Sequence, residues 1–353
     1  MKKIARNTKK NLITYGIVIA AYIVISILVS TGSVSYLFQG LLVPMCYYII
    51  LAVSLNLTVG ILGELSLGHA GFMCVGGFTS ALFTKLMEDT ITNASLRFML
   101  AFLVGALAAS VFGLLIGMSV LRLKGDYLAI VTLAFGEIIK NVINVIYIGK
   151  DSNGLHISMD VTKLNMADDG VKIVSGAQGI GSIPKQSTFT IGIIMVLLTL
   201  FIVLNIINSR SGRAIMAIRD NRIAAESVGV NITKFRLTAF TISAALAGVA
   251  GVLYSHNLST FAATPKNFGY NMSITILVMV VLGGIGNIRG SVIASVVLLM
   301  LPEYLRGLQD YRMLIYAVVL IVMMIFNSNS KCIEWRKNVF SKLKPHKKVK
   351  EAE

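Results

Sequence analysis

Long apolar runs separated by short polar loops dominate the chain, and they predict membrane-spanning helices. Ten apolar segments can be marked, at about 12–29, 37–59, 67–86, 98–120, 127–148, 189–207, 237–254, 272–285, 291–301 and 313–326. A helix needs about 20 apolar residues to cross a bilayer. The last three segments are shorter, so we expect them to be tilted, broken or partly re-entrant. The pattern predicts an all-α integral membrane protein, a polytopic helical bundle of about ten hydrophobic segments, some short or broken.

The composition agrees with a membrane-embedded chain. Apolar residues make up 56% of the 353 residues, charged residues make up only 14%, and the mean hydropathy is +0.78. Soluble domains carry about 25% charged residues. We therefore divide the chain into a basic arm (1–11), a transmembrane domain (12–327) and a basic tail (328–353).

The distribution of Lys and Arg predicts the orientation. Most of the 32 basic residues fall in the arm, the tail and the connections on the same side, above all in residues 208–236, here called the basic loop. The positive-inside rule places that side in the cytoplasm. Both termini and the basic loop are thus expected to be cytoplasmic, and the mixed-charge connection at 149–187 to be extracellular. This topology accounts for the net charge of +16 without nucleic-acid binding.

No motif in the chain predicts enzyme chemistry. The sequence has no phosphate-binding loop, no catalytic constellation and no metal-ligand spacing. Its three cysteines, Cys46, Cys74 and Cys332, are scattered and predict neither a disulfide framework nor a zinc site. We expect no catalytic residue, no metal and no cofactor in this chain.

The basic loop contains a short predicted helix over residues 223–228. Asp220 or Asn221 can cap its start by accepting a hydrogen bond from a free N–H group of the first turn. Gly229 can end it in the left-handed conformation that other residues resist. These signals predict a helix of about two turns.

Two alanines, Ala224 and Ala225, are expected to leave the face of this helix bare, so that a partner protein can approach closely. Arg213, Arg219 and Arg222 crowd the same loop. A short exposed helix among arginines is a natural contact for a second protein. The alternative is an ordinary solvated basic loop.

Glycines interrupt the chain at two places where a helix would otherwise continue. They are Gly60, Gly63, Gly68 and Gly71 in the first break, and Gly283, Gly284, Gly286 and Gly290 in the second. Broken segments often mark the pathway of a transporter, because unwound backbone can present N–H and C=O groups there. The alternative is a pair of tight turns at the interior surface.

Small residues also recur at helical spacing and predict close helix packing. The pairs are Gly77 with Ala81, Ala244 with Gly248, and Ala247 with Gly251. Lipid gives no hydrophobic drive for helix association, so close backbone contact between small residues has to supply it.

Ionisable residues inside apolar segments are costly and usually face the interior of a bundle. Glu137 and Lys140 lie in the fifth segment, on one helix face with Asn141 and Asn144. They can form a structural ion pair or line a polar pathway. His69 lies among glycines. It can be a hydrogen-bonded residue at a helix end, or it can have a substrate or proton role.

Four blocks in order along the chain carry a resemblance to a known family. They are NLTVG (56–60) with GELSLGHAGF (63–72), LKGDYLAIVTLAFGEI (123–138), SGRAIMAIRDNRIAAESVG (211–229) and VLGGIGNIRG (281–290). Together they resemble the LivM-type permeases, which are membrane subunits of ATP-binding-cassette importers for branched-chain amino acids. The resemblance covers roughly residues 37–327, so it implies that 12–327 is a permease domain.

The resemblance implies a transport subunit of the bacterial cell membrane, with ATP hydrolysis left to separate subunits. The partners it implies are a second, LivH-like permease, two ATPase subunits and an extracellular solute-binding protein. The solute would be a branched-chain or related hydrophobic amino acid. The 149–187 connection is a candidate contact surface for the binding protein.

The resemblance also implies site residues. Importer permeases of this superfamily share an E-A-A-x-x-x-G loop that docks into the ATPase, and here Ile223 stands in place of its Glu. By that similarity, ATPase coupling is expected at Arg213, Arg219, Ala224, Ala225 and Gly229. The glycine breaks and the ionisable residues, rather than the resemblance, are the reason to expect the translocation pathway at Ser66, Gly68, His69, Gly71, Glu137, Gly283 and Gly284.

Three other functions remain open from the sequence. Permeases for urea or short amides are similar in the same blocks. An ion-coupled secondary transporter would use Glu137 and Lys140 as a proton relay and need no ATPase. A membrane scaffold would have no transport role.

Overall fold

The structure is a computed structural model that describes residues 2–33, 35–123, 125–151, 154–160, 164 and 170–328. The basic tail after residue 328, with Cys332, lies outside the described residues. The chain divides into a larger unit that ends at Val296 and a smaller unit that begins at Val297.

Helices make up most of the larger unit. In chain order they are α1 (Lys2–Ser30), α2 (Tyr36–Asn56), α3 (His69–Leu86), α4 (Ala94–Val120), α5 (Asp126–Val145), α6 (Phe189–Asn208), α7 (Arg210–Asp220), α8 (Arg222–Ser227), α9 (Ile232–Ser255), α10 (Pro265–Phe268) and α11 (Tyr270–Gly283). The next helix, α12 (Ile288–Tyr304), runs into the smaller unit, which continues with a 3-10 segment (Leu305–Tyr311) and α13 (Arg312–Ser328). Because α1 begins at Lys2, the basic arm and the first apolar segment form one helix.

Seven helices among the described residues are long and apolar enough to cross a membrane. These spans are Asn11–Ser30, Tyr36–Leu62, Ala94–Val120, Asp126–Val145, Phe189–Asn208, Ile232–Ser255 and Ile288–Gly307. The shorter or less apolar helices α3, α11 and α13 account for the other predicted segments. The all-α, multi-pass prediction is confirmed, with ten as an approximate count. The span that contains the ninth segment is longer than predicted, because the helical stretch runs from Ile288 to Gly307 and reaches 20 residues.

The core of the larger unit is built by α9, which packs along both α3 and α4. Glycines face each other where the helices meet. A Cβ atom added at Gly76 would overlap the backbone of Gly248, and one added at Gly77 would lie 3.0 Å from the carbonyl oxygen of Gly251. The predicted close packing of small residues is thus confirmed for these helices, whose backbones nearly touch.

Both predicted helix breaks are present. The first follows α2, which passes into a π-helical turn (Leu57–Leu62) and stops at Gly63, where φ is +80°. The second follows α11, where φ is +93° at Gly284 and +80° at Gly286. Only glycine adopts these left-handed angles without strain. The glycines therefore fix where the two helices end.

A small antiparallel sheet occupies part of the predicted extracellular connection. Its strands are β1 (Tyr147–Asp151), β2 (Gly154–Ser158) and β3 (Val171–Ser175), in the order β2-β1-β3. Ile148 pairs with Ile157 on one side and with Val174 on the other. Backbone hydrogen bonds of 2.8 and 2.9 Å between Ile180 and Phe261 join this region to the segment after α9. The sequence analysis predicted only a polar connection here.

The glycine contact between α3 and α9 gives a stability prediction. Gly76→Ala should lower the free energy of unfolding by about 1–3 kcal/mol, because its methyl group would push the two backbones apart. Thermal unfolding of the purified protein in detergent measures the change. The matched control is Gly16→Ala in α1, where an added Cβ has nothing within 4 Å. Equal unfolding temperatures for the two variants would contradict the packing argument.

Candidate functional site

The basic loop folds into two helices, α7 and α8, joined at Asn221. The Asn221 side-chain oxygen accepts a 3.1 Å hydrogen bond from the N–H of Ala224, as expected for a helix cap. Gly229 follows α8 with φ of +83°. The short helix, its asparagine cap and its glycine end are confirmed as predicted. The sequence analysis missed that the residues of α7, before the cap, are also helical.

The outer face of α8 differs from the expected one. Ala225 is only 3% exposed, because it packs against Ile218 and Ile232, so the expectation that both alanines leave a bare face is wrong for Ala225. Ala224 is exposed. The largest apolar groups on the outside are Ile223 and Val228, which are 81% and 77% exposed. Two bulky apolar side chains on a short exposed helix suit a protein contact.

The arginines of the basic loop point to different partners. Arg213 donates to the carbonyl oxygen of Asn208 at 3.3 Å and so stays within its own loop. Arg219 pairs with neighbouring Asp220, and its Nη1 donates a 2.8 Å hydrogen bond to the carbonyl oxygen of Gly60 in the π-helical turn. Arg219 therefore connects the loop to the first helix break, a contact that sequence spacing did not reveal.

A cleft of about 600 Å³ lies between the basic loop, the first break and the start of α5. Its charged lining residues are Glu64, Asp126, Arg219, Asp220, Arg222 and Arg236. Glu64 forms an ion pair with Arg236, which ties the first break to the start of α9. Burial raises the pKa of the Glu64 carboxyl group, and the charge of Arg236 opposes that rise. The cleft is therefore lined by charged side chains from the basic loop, the first break and the starts of α5 and α9.

The two helix breaks contact each other through Asn56, which is fully buried. Its side-chain oxygen accepts a 2.8 Å hydrogen bond from the N–H of Gly286, and its Nδ2 donates at 2.7 Å to the hydroxyl of Ser291. A Cβ at Gly60 would overlap both the Asn56 oxygen and the Gly286 nitrogen. An asparagine near the end of an apolar segment was the available sequence signal, and the sequence analysis did not use it.

Other backbone N–H groups beside the breaks also find side-chain acceptors. The N–H of Leu67 donates to the Thr132 hydroxyl at 3.0 Å, and the N–H of Ala70 donates to the Ser273 hydroxyl at 3.3 Å. Buried polar side chains thus replace the helical partners that the broken backbone has lost.

The residues expected in the pathway near the first break lie inside the bundle. The side chains of Ser66 and His69 are buried, and His69 Nε2 lies 3.0 Å from the Ser243 hydroxyl. A Cβ at Gly68 would lie 2.8 Å from the Thr132 carbonyl oxygen, and one at Gly71 would lie 2.7 Å from Gly136 Cα. These contacts place the two glycines where α3 begins against α5.

In the second break, Gly283 lies against the backbone of Gly290, so that a Cβ at Gly283 would overlap it. Gly284 forms the turn that follows. These two expected pathway residues thus hold the ends of α11 and α12 together. The structure brings the two breaks together through Asn56, whereas the sequence placed them in separate halves of the chain.

Glu137 and Lys140 form the expected ion pair on α5. The Lys140 side chain is 5% exposed and that of Glu137 is 27% exposed. The other carboxylate oxygen of Glu137 accepts a 2.7 Å hydrogen bond from the N–H of Tyr270, the first residue of α11. The pair therefore joins α5 to the start of α11, and an anion at a helix N-terminus is favourable.

Polar groups next to this ion pair are exposed on the surface of the chain. Asn141 on α5 and Asn271 on α11 are both exposed, and so is Tyr270. Asn141 lies within a helix that is apolar enough to span a membrane. Polar side chains at such positions are unfavourable against lipid and usually face protein or water.

The helices, breaks and basic loop define a multi-pass membrane protein of the transport class. The family described as branched-chain amino acid transport system / permease component matches residues 36–326, and the chain belongs to this family. The resemblance to LivM-type permeases is therefore confirmed, and so is the interpretation as a transport subunit rather than an enzyme.

Curated relatives agree with the family. The chain is 34% identical to the high-affinity branched-chain amino acid transport system permease protein LivM of Salmonella typhimurium over 309 residues, which covers 85% of this chain and 69% of that protein. It is 34% identical to LivM of Escherichia coli over 289 residues, 79% of this chain and 66% of that protein. The chain thus spans about two thirds of the length of these relatives. LivH of Salmonella typhimurium is 25% identical over 252 residues, 71% of this chain and 79% of LivH. No solved structure is significantly similar to the chain.

The ion pair on α5 gives a prediction about compensation. Glu137→Gln keeps an acceptor for the Tyr270 N–H but leaves the buried Lys140 charge unpaired, so it should cost about 3 kcal/mol of stability. The double variant Glu137→Gln with Lys140→Met should lose less, because no charge is stranded. Unfolding temperatures in detergent compare the two. A double variant as unstable as the single one would contradict mutual compensation.

Proposed function

We propose that this chain is the permease subunit of an ATP-driven importer that carries branched-chain or related hydrophobic amino acids across a bacterial cell membrane. The observation that carries the proposal is the family match over residues 36–326, which includes both helix breaks and the whole basic loop. The two LivM relatives are named as permeases of branched-chain amino acid systems, which favours that solute class.

The basic loop is proposed as the contact with the ATPase. Ala224 lies on the exposed side of α8, between the protruding Ile223 and Val228. Ala225 anchors the helix from beneath, and Gly229 sets its end. Arg219 holds the loop to the bundle, and Arg213 holds the start of α7 to the end of α6. In this arrangement the ATPase contacts two exposed apolar side chains at α8, and Ala225 packs this helix against its neighbours. The ATPase then moves the loop as a rigid body when it binds and hydrolyses ATP.

The translocation pathway is proposed along the polar surface of α5 and α11. Glu137 is the ionisable group on this surface, and Asn141 and Asn271 extend it. Because such groups are unfavourable against lipid, a second permease facing this surface would enclose the pathway. The remaining expected pathway residues, Ser66, Gly68, His69, Gly71, Gly283 and Gly284, would control its shape from behind, where they set the positions of the two breaks.

The proposed assembly contains a second, LivH-like permease, two ATPase subunits and an extracellular solute-binding protein. Positive charge in the basic loop favours a cytoplasmic position for that loop and for both termini. The sheet formed by β1, β2 and β3 would then lie on the outside. The connection at 149–187, which contains most of this sheet, is the proposed contact for the binding protein.

The coupling role of α8 predicts the effect of changing its end. Gly229→Val forces a β-branched residue into left-handed backbone, at a cost of about 1–2 kcal/mol, and should shift α8 without a clash, since an added Cβ has nothing within 4 Å. In proteoliposomes of the complete transporter, solute uptake should fall while ATP hydrolysis persists. Gly32→Val is the matched control, with φ of +69° and the same open space after α1. Unchanged uptake per ATP in Gly229→Val would overturn the coupling role.

The importer function predicts which components uptake needs. Labelled leucine, isoleucine, valine and urea should be tested in proteoliposomes with and without ATP, the ATPase subunits and the binding protein. Uptake of the branched-chain amino acids should require all of them, because this chain supplies the pathway but no energy source. Ion-driven accumulation by the purified chain alone would replace the importer by a secondary transporter. Uptake of urea in preference to amino acids would overturn the solute class.

A further inference from the structure

Arg219 and Asn56 join three parts of the chain that sequence places far apart: the basic loop, the first helix break and the second helix break. We propose that these two side chains are positioning residues that carry movement of the basic loop to both breaks together. The inference rests on the proposed coupling function and specifies how the loop would act on the pathway.

The first step of this connection is Arg219. It lies at the end of α7, two residues before the Asn221 cap of α8, so it moves with the proposed ATPase contact. Its Nε and Nη2 donate to Asp220 at 3.1 and 3.0 Å, which fixes the guanidinium, and Nη1 is left to reach the carbonyl oxygen of Gly60 at 2.8 Å. The stem of Arg219 lies over Gly63, where an added Cβ would approach its Cγ to 2.5 Å. The side chain therefore contacts the first break at two residues, Gly60 and Gly63.

The second step runs through the π-helical turn. Gly60 accepts from Arg219 through its carbonyl oxygen, and its Cα faces the Asn56 side chain and the Gly286 backbone. A Cβ at this position would overlap both, so the three groups are in direct contact. A π-helical turn is a local irregularity that is common at functional sites. A shift of Gly60 thus has to displace Asn56 or Gly286.

The third step is the Asn56 amide, which bridges the second break. Its oxygen binds the Gly286 N–H, just before α12, and its Nδ2 binds Ser291 in the first turn of α12. Breaking either hydrogen bond would leave a polar group unpaired in a fully buried site, which is strongly unfavourable. The two breaks are therefore expected to move as one unit. Movement of the basic loop would then reach α12 through these direct contacts alone.

The test uses the complete transporter in proteoliposomes and measures uptake per ATP hydrolysed. Arg219→Ala removes the contact with Gly60. Asn56→Leu keeps a similar side-chain volume and removes both amide hydrogen bonds. Each change should lower uptake per ATP by about 10-fold, the usual scale of coupling between two sites, while ATP hydrolysis continues. Uptake per ATP in the double variant should be no lower than in the more impaired of the two single variants, because both side chains act in one connection.

The controls separate this connection from a merely structural role. Arg122→Ala removes an exposed arginine outside the basic loop, in the connection between α4 and α5, and should leave uptake per ATP unchanged. Membrane levels and unfolding temperatures are measured for every variant. An effect of Arg219→Ala and Asn56→Leu that appears only as lost protein, with normal uptake per ATP in the remainder, would overturn the inference. Losses that multiply in the double variant would overturn it as well.

The two levels of the proposal can fail separately. If Gly229→Val uncouples transport while Arg219→Ala and Asn56→Leu keep normal uptake per ATP, the coupling function holds and the connection through Gly60 is wrong. If Gly229→Val also keeps normal uptake per ATP, the coupling function itself is wrong and the connection falls with it.

Discussion

Backbone N–H and C=O groups cannot be left without partners in the apolar interior of a membrane protein, and the structure depends on meeting this constraint where its helices break. Three N–H groups beside the breaks are bound by side chains from other parts of the chain, in the pairs Leu67 with Thr132, Ala70 with Ser273, and Gly286 with Asn56, and the N–H of Tyr270 at the start of α11 is bound by Glu137. The constraint explains why these polar residues stand inside apolar helices. It also fixes each break against a neighbouring element.

The same bundle contains two kinds of helix contact with different mechanical properties. Where α9 meets α3 and α4, glycines bring the backbones into close contact. Where the breaks meet, the contacts are two hydrogen bonds of the Asn56 side chain beside the close approach of Gly60 to Gly286. A rigid helical core beside hydrogen-bonded breaks suits a permease, whose pathway has to open on one side and close on the other while the bundle stays intact.

The basic loop connects this mechanism to the outside of the bundle. Ala225 faces inward and seats α8 against Ile218 and Ile232, while Ile223 and Val228 project outward. Arg219 leaves the same loop in the inward direction and reaches Gly60. The loop therefore has one apolar surface for a partner and one polar contact with the first break. Arg219 uses its positive charge in the contact with Gly60 of the bundle.

The sequence by itself determined the class, most of the membrane-spanning helices and the positions of the breaks. Apolar runs mark helices because lipid excludes polar side chains, Gly229 and Gly63 mark helix ends because left-handed backbone favours glycine, and the blocks around them identify the family. Only the tertiary structure decided that Asn56 bridges the two breaks, that Arg219 points inward and that Ala225 is buried. The Asn56 and Arg219 contacts join groups more than a hundred residues apart, and the burial of Ala225 depends on how α7, α8 and α9 pack together, so a local pattern of residues cannot specify them.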